Sequence, residues 1–466
     1  MSHRLLSPLV LTLLSLALAA CATTAPAPAT WEPPAAWTAT VPAPGGVAVA
    51  ADWWRGFQDA GINDAVQATL QANTDLAVAR ANLQRARALS GVARAALLPA
   101  VQVSASAQRN DPASAATHSH GLFDGGFDAA WEPDFFGGNQ HAATAAAADS
   151  RASALTLAAT QVSLAAEAVA DVVQLRGTET RLALARDNLA AQEETLQITR
   201  WRQQAGLVTS LEVEQARSAV EQTRAQLPSL TASAAQTRHA LAVLMGLAPL
   251  ALPATLLAQA PLPTPPAGWS AAIPAQLLRQ RPDVAASEAQ LQAAAQRVAQ
   301  ADAARRPQLA LRASLAWSAL TLSGLGSATA VSALVGSVAQ PLFDGGQRNA
   351  QLAAQQASFD AAAAAYQGKV LVALQDVEDA FAALAGAHQR LAALRQAEEA
   401  SSNAALLSTQ RFTAGVADFQ TVLDTQRSRL SVQDSRAVAE ADWVTAHVRL
   451  VKALGGGWVS ASTASE

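Results

Sequence analysis

Continuous apolar runs are scarce in this 466-residue chain. Past the N-terminus, none approaches the ~20 residues of a membrane-spanning helix, so any contact with lipid must be made another way. Cysteine is nearly absent: Cys21 is the only one, which excludes an internal disulfide framework. Charged residues make up only 15%, and a net charge of −4 offers no surface for nucleic acid. The seven histidines are scattered. Only His118 and His120 lie close together, in the polar stretch NDPASAATHSHG, and two ligands alone make a poor metal centre. Asp124-Gly125-Gly126 and Asp344-Gly345-Gly346 are better explained by turn chemistry than by cation binding. No nucleophile–base constellation or phosphate loop occurs, so neither enzymatic activity, nor a metal, nor a cofactor is expected.

What is present begins with an address. MSHRLL carries one Arg, and LVLTLLSLALAA is too short to span a bilayer, which reads as a secretory signal over residues 1–20. Leu18-Ala19-Ala20-Cys21 resembles a bacterial lipobox, with Cys21 as the lipidated first residue of the mature chain. Ala22, rather than Asp, fits sorting to the outer membrane. A Pro/Ala-rich tether follows.

The chain then repeats itself. Pro99 pairs with Pro307 (307 − 99 = 208), and the same offset links Leu83 to Leu291, Pro133 to Pro341, Phe135 to Phe343, Gly137 to Gly345 and Gly138 to Gly346. Gly206 pairs with Gly415 (415 − 206 = 209), as Gly246 does with Gly455. The pentapeptide LFDGG occurs at Leu122–Gly126 and again at Leu342–Gly346, but the two copies are out of register with this offset. The counterpart of the second copy is instead Pro133–Gly138. The expected organisation is a tether and equatorial segment over 21–63, a first repeat over 64–246, a linker over 247–282, a second repeat over 283–458 and a tail over 459–466. Such a repeat is far longer than a solenoid unit and reads as two copies of one large motif.

Period-two alternation follows each early proline. Val101, Val103, Ala105 and Ala107 alternate with Gln102, Ser104, Ser106 and Gln108. Leu309, Leu311, Ala313, Leu315 and Trp317 repeat the pattern. Returning strands are expected near Gly121–Glu132 and Val331–Gln340. One apolar and one polar face suits a sandwich or a barrel with a wet lumen. Trp131 and Trp317 fit either an aromatic belt or buried packing.

From Gly138 to Gly206, and from Gly346 to Gly415, only isolated glycines interrupt helical sequence. A helix of that length would reach ~100 Å. From Val213 the seam Ala216, Val220, Thr223, Leu227, Leu230, Ala234, Thr237, Leu241, Leu244 has coiled-coil spacing, with Pro228 expected to kink it. Gly206 and Gly415 should cap the tips of two helical hairpins. Four strands cannot close a membrane barrel, for which about eight is the minimum, and an open edge in lipid is forbidden. Several chains must pool strands, and three would supply twelve. The fold class expected is mainly α with membrane β: duplicated helical hairpins forming an α-barrel, joined to a transmembrane β-barrel. Pro133, Gly137, Gly138, Pro341, Gly345 and Gly346 form the strand-to-helix corners.

WWRGFQDAGINDAV, LRQRPDVAASEAQLQAA, QPLFDGGQRNAQ, AGVADFQTVLDTQRSRL and VKALGGGW together resemble the outer-membrane factor family of tripartite efflux systems, the TolC-like channels, in its lipoprotein branch. The resemblance spans nearly the whole mature chain. It implies a homotrimeric channel-tunnel whose β-barrel lies in outer-membrane lipid, with an α-barrel in the periplasm. A mixed equatorial belt would draw on 31–63, 246–283 and the C-terminal tail. The hairpin tips, Gly206, Leu207, Val208, Thr209 and Gly415, Val416, Ala417, Asp418, would dock on a membrane-fusion adaptor fed by an inner-membrane RND-type pump.

The resemblance also implies a periplasmic gate. Aligned on Gly415, its constricting carboxylate falls on Asp424, with Gln420 one turn earlier; Glu212 and Gln215 are the first-hairpin equivalents. Three Asp424 carboxylates on one axis would repel unless cations or donors such as Arg427 compensate. Alternatively, Asp424 is a solvated residue paired with Arg427 or Arg429. Small molecules such as drugs are the expected cargo, with type I protein secretion and metal-ion efflux as the alternatives. A lipid-anchored periplasmic coiled-coil scaffold is the other class, but it has no use for strands with one apolar face.

Overall fold

The computed structural model describes residues 24–27, 50–110, 120–249, 251–266, 281–319, 329–456 and 458. The signal segment, Cys21, His118, most of the tether, residues 267–280 and the tail 459–466 lie outside the described residues. A 3-10 turn at Trp53–Phe57 precedes α1 (Ala60–Ala72) and α2 (Thr74–Ala95). Then come β1 (Ala100–Asn110), β2 (His120–Trp131), α3 (Gly138–Gln204) and α4 (Ser210–Leu244). The second half holds α5 (Pro282–Ala303), β3 (Gln308–Ala319), β4 (Thr329–Ala339), α6 (Gln347–Thr413) and α7 (Phe419–Ala453).

From α2 and α5 onward the halves match element for element. α2 and α5 are both 22 residues long, α3 and α6 both 67, and α4 and α7 both 35. The LFDGG copies separate as the offset requires: Leu122–Gly126 lies within β2, and Leu342–Gly346 in the turn from β4 to α6. The corners are also duplicated, with one difference. Asp134 accepts the Gln140 N–H at 2.6 Å, and Asp344 accepts the Gly346 N–H at 2.9 Å. At the second corner Gly345 and Gly346 both have positive φ (64° and 86°), whereas at the first only Gly137 does (77°). Gly138 is already the first residue of α3, has no positive φ, and a Cβ there would meet only ordinary contacts with Ala303 and Asp134.

The chain divides into two compact units that cut across the repeats. One gathers 81–155 and 285–368, and the other gathers 32–80, 156–284 and 369–466. The first unit holds a four-stranded antiparallel sheet in the order β1-β2-β3-β4. Its register aligns many like residues, although Leu122 faces Gln108, Val335 faces Arg312 and Ser332 faces Leu315. Val103 faces Phe127, Phe127 faces Leu315, Ala313 faces Leu334 and Leu309 faces Val338. On the other face, Gln102 is opposite Asp128, Asp128 opposite Ser314, and Asp124 opposite Ser318. The apolar side chains are not buried within the chain: Val103 is 73% exposed and Leu334 77%. Trp131 pairs with Leu311 on that face, and Trp317 lies six positions farther along β3, roughly 20 Å away. That spacing approaches the ~25 Å between the aromatic girdles of membrane barrels.

The second unit has a conventional core. Ile62 and Val66 of α1, Val169, Val172 and Val173 of α3, Leu241 of α4, and Val444 and Val448 of α7 share one buried cluster. α1 starts where Asp59 accepts the Ile62 N–H at 2.8 Å. Arg176, 1% exposed, donates to Glu179 at 3.1 Å, to the Thr255 carbonyl at 2.9 Å and to the Ala258 carbonyl. Arg238 completes the Glu179 pairing at 2.6 Å. The inter-repeat segment is thereby tied to α3 through a buried cation.

α3 does contain a stretch long and apolar enough, by composition, to pass as a membrane span. Polar and charged residues interrupt its apolar ones, so it holds no unbroken apolar run of that length. Val169, Val172 and Val173 from this helix are fully buried in the protein core instead. The α4 seam holds as read: Ala216, Val220, Thr223, Leu230, Ala234, Leu241 and Leu244 are buried, and Val213, Leu227 and Thr237 are half-buried. The helix continues unbroken through Pro228, which is exposed.

Candidate functional site

The two hairpin tips are built alike. At the end of α3 the Leu207 N–H reaches the Arg202 carbonyl at 2.8 Å, and the Gly206 N–H reaches that of Gln203 at 2.9 Å. At the end of α6, Val416 and Gly415 do the same to Arg411 and Phe412, both at 2.9 Å. These are paired Schellman closures, and they require the left-handed φ seen at Gly206 (74°) and Gly415 (80°). The helices restart on caps. Thr209 and Glu212 form a capping box on α4, and Asp418 accepts the Thr421 N–H at 2.7 Å to start α7. The Thr209 hydroxyl holds the Glu212 carboxyl below the usual range, as the Thr421 hydroxyl does for Asp418. Between the caps, each tip projects one exposed aliphatic side chain at the matching position, Leu207 (67% exposed) and Val416 (66%). Val208 and Ala417 are half-buried beside them.

Just past the second tip, Gln420 donates to Asp424 at 3.0 Å, and both are exposed. The Arg pairing considered for Asp424 does not form. Arg427 is exposed and in no ion pair among the described residues, while Arg429 donates to Asn188 of the first hairpin at 3.1 Å. In the first hairpin Glu212 is engaged in the capping box, and Gln215 lies half-buried along α4.

The two hairpins are joined by Ala216 and Val220 of the α4 seam together with residues outside any pattern named above. An apolar cluster at the tips unites Leu196, Ala216, Val220, Phe412, Phe419 and Val422. The Arg202 guanidinium stacks 4.2 Å above the Phe412 ring and donates to the Phe412 carbonyl. Farther along, α3 and α7 are bridged by polar contacts. Gln426 donates to Thr195 at 3.1 Å, Asn188 to Gln433 at 3.0 Å, and Arg181 to Asp434 at 2.7 Å. Asn188, Gln192, Thr195 and Thr199 are buried and follow a four-three-four spacing on α3. That spacing was the available signal: a polar seam at coiled-coil positions.

Duplicated long hairpins attached to a two-faced sheet have clear relatives. The model of the family described as outer membrane efflux protein matches residues 65–247 and 273–456, most of the chain. The chain belongs to the outer membrane efflux protein family. Among curated members, the pyoverdine export outer membrane protein OpmQ of Pseudomonas putida is 34% identical over 455 residues, covering 96% of both chains. The toluene efflux pump outer membrane protein TtgF of the same species is 31% identical, covering 88% of this chain and 86% of that one. Among solved structures, the outer-membrane channel OprN superposes with a TM-score of 0.88 at 33% identity, covering 93% of this chain and 99% of that one. The MtrE channel of Neisseria gonorrhoeae, in its open state, gives 0.80 at 27% identity, covering 93% and 98%. This outer membrane efflux protein is thus an outer-membrane component of the TolC-like fold, mainly helical with a small antiparallel sheet.

Proposed function

We propose that three copies of this chain assemble into a channel-tunnel, the passive exit duct of a tripartite pump. The sheet carries the reading. It presents Val103, Phe127, Leu315 and Leu334 on one face and Gln102, Asp128 and Ser314 on the other, with β1 and β4 each paired on one side only. A solvated single sheet has no reason to expose that apolar face. Twelve pooled strands would turn it to lipid, remove both edges and line a lumen with the polar face.

The cargo is a small organic molecule delivered by an inner-membrane pump, of RND type, through a periplasmic adaptor. Relatives named for pyoverdine, toluene and antibiotic efflux support that class. The adaptor docks on the tips, where Leu207 and Val416 supply paired apolar contacts between polar caps. The mature chain is also anchored by lipid at Cys21. Cys21→Ser should abolish incorporation of labelled palmitate and slow signal removal; label entering the variant would contradict the anchor. Membrane insertion should survive, because the barrel itself holds the protein.

Asp424 narrows the periplasmic end, with Gln420 bonding to its carboxylate and Arg427 within the same stretch of α7. Three such carboxylates around one axis favour cations in the pore. In planar bilayers, Asp424→Ala should open more often and lose cation preference by about twofold or more. Unchanged conductance and unchanged selectivity would remove Asp424 from the gate.

A further inference from the structure

The trimeric reading requires β4 of one copy to meet β1 of the next, and the internal duplication specifies how. We infer that this junction repeats the β2–β3 pairing already present inside the chain, so that Val338 stands opposite Ala105 of the neighbouring copy, and Ser337 opposite its Ser106. The inference rests on the shared barrel proposed above and adds its register.

β1 and β3 are equivalent at the repeat offset of 208, since Ala100 begins one strand and Gln308 the other, directly after Pro99 and Pro307. The ladders then fix the equivalence of the return strands. Ala100 faces Ala130 and Gln308 faces Ala339, so β2 maps onto β4 with an offset of 209 (339 − 130 = 209). The strand starts agree, because His120 and Thr329 differ by the same amount; β2 runs one residue longer at its end, which restores the offset of 208 by Pro133 and Pro341. Within the chain Ala129 faces Ala313. Their counterparts are Val338 in β4 and Ala105 in β1, which gives the intermolecular pair. The neighbouring pairs follow: Ser337 with Ser106, Gly336 with Ala107, and Val335 with Gln108.

The faces provide a second check, carried in β4 by Leu334 and Val338, although Val331 and Val335 lie on its polar face. A register shifted by one residue would set Val338 against Ser104 or Ser106 and turn one strand's apolar side chains toward the lumen. The register derived from the duplication keeps Val338 and Ala105 on the apolar face, and Ser337 and Ser106 on the polar one. Shifts by two residues would also preserve the faces, but they would break the equivalence with β2–β3. Directly opposed residues bring Cβ atoms to ~4.5–5.5 Å, whereas diagonal neighbours lie ~7–8 Å apart. A disulfide needs a Cβ separation of about 3.5–4.5 Å, so it distinguishes these registers. β1 and β4 of one chain are separated by two intervening strands, which rules out an intramolecular bridge.

The test combines Ser337→Cys with Ser104→Cys, Ser106→Cys or Gln108→Cys, one pair at a time in the full-length protein. All four sites are exposed and polar, and each single variant serves as the folding control on native gels. Under mild oxidation, Ser337→Cys/Ser106→Cys should run as linked trimers on a non-reducing denaturing gel and collapse to monomer with reductant. The other two pairs should stay at least severalfold less linked. Preferential linking through position 104 or 108 would overturn the register and leave the shared barrel standing. Native trimers with no linking in any pair would also overturn it. Native monomers in the single variants and the parent would instead remove the trimeric reading on which it rests.

Discussion

Leu315→Arg should prevent stable insertion into the outer membrane, while Ser314→Arg, one position earlier on β3, should insert and assemble normally. The two residues share a strand and differ only in face: Leu315 stands opposite Phe127 on the apolar side, and Ser314 opposite Asp128 on the polar side. An Arg turned to lipid near mid-strand costs ~2–4 kcal/mol, and the cost recurs in each of three copies. An Arg in the lumen meets water and the Asp128 carboxylate. Outer-membrane fractions run on native gels measure both variants. Equal insertion of the two would mean that the sheet does not have a lipid-facing side.

Arg176→Ala should be the most destabilising single change outside the sheet. The Arg176 side chain is 1% exposed and Glu179 5%. Truncation leaves the carbonyls of Thr255 and Ala258 without their donor and Glu179 with Arg238 alone. Breaking a buried ion pair from one side costs about 3–5 kcal/mol, and the surviving Arg238 contact places this case at the lower end. Thermal unfolding of the detergent-solubilised protein should show a clear fall in midpoint, together with protease sensitivity between α4 and α5. A midpoint within a degree or so of the parent protein would show that the inter-repeat segment is held by its apolar contacts, such as Leu256, instead.

The parts of this fold that were legible in the sequence are those set by local periodicity. The alternating strands expected after Pro99 and Pro307 are Ala100–Asn110 and Gln308–Ala319. Alternation fixes a strand and its faces because successive side chains must point oppositely. The tips at Gly206 and Gly415 were legible because a Schellman closure needs a residue that accepts positive φ. Arg176 was not legible, since its partners at Thr255 and Ala258 become neighbours only after the linker folds back. The polar seam of Asn188, Gln192, Thr195 and Thr199 was present as spacing. Its meaning depends on Gln426, Arg429 and Gln433 lying on the other hairpin, which no local pattern announces. The Asp424–Arg429 pairing failed for the same reason: Arg429 has a partner across the hairpins that outcompetes one on its own helix.

The measurement closest to the central claim is the number of chains per particle, by light scattering on the detergent-solubilised protein with the detergent contribution removed. The account predicts three chains per particle, with strand content by circular dichroism matching four strands per chain. One chain per particle with that strand content intact would contradict it, because a four-stranded sheet would then be stable with both edges open.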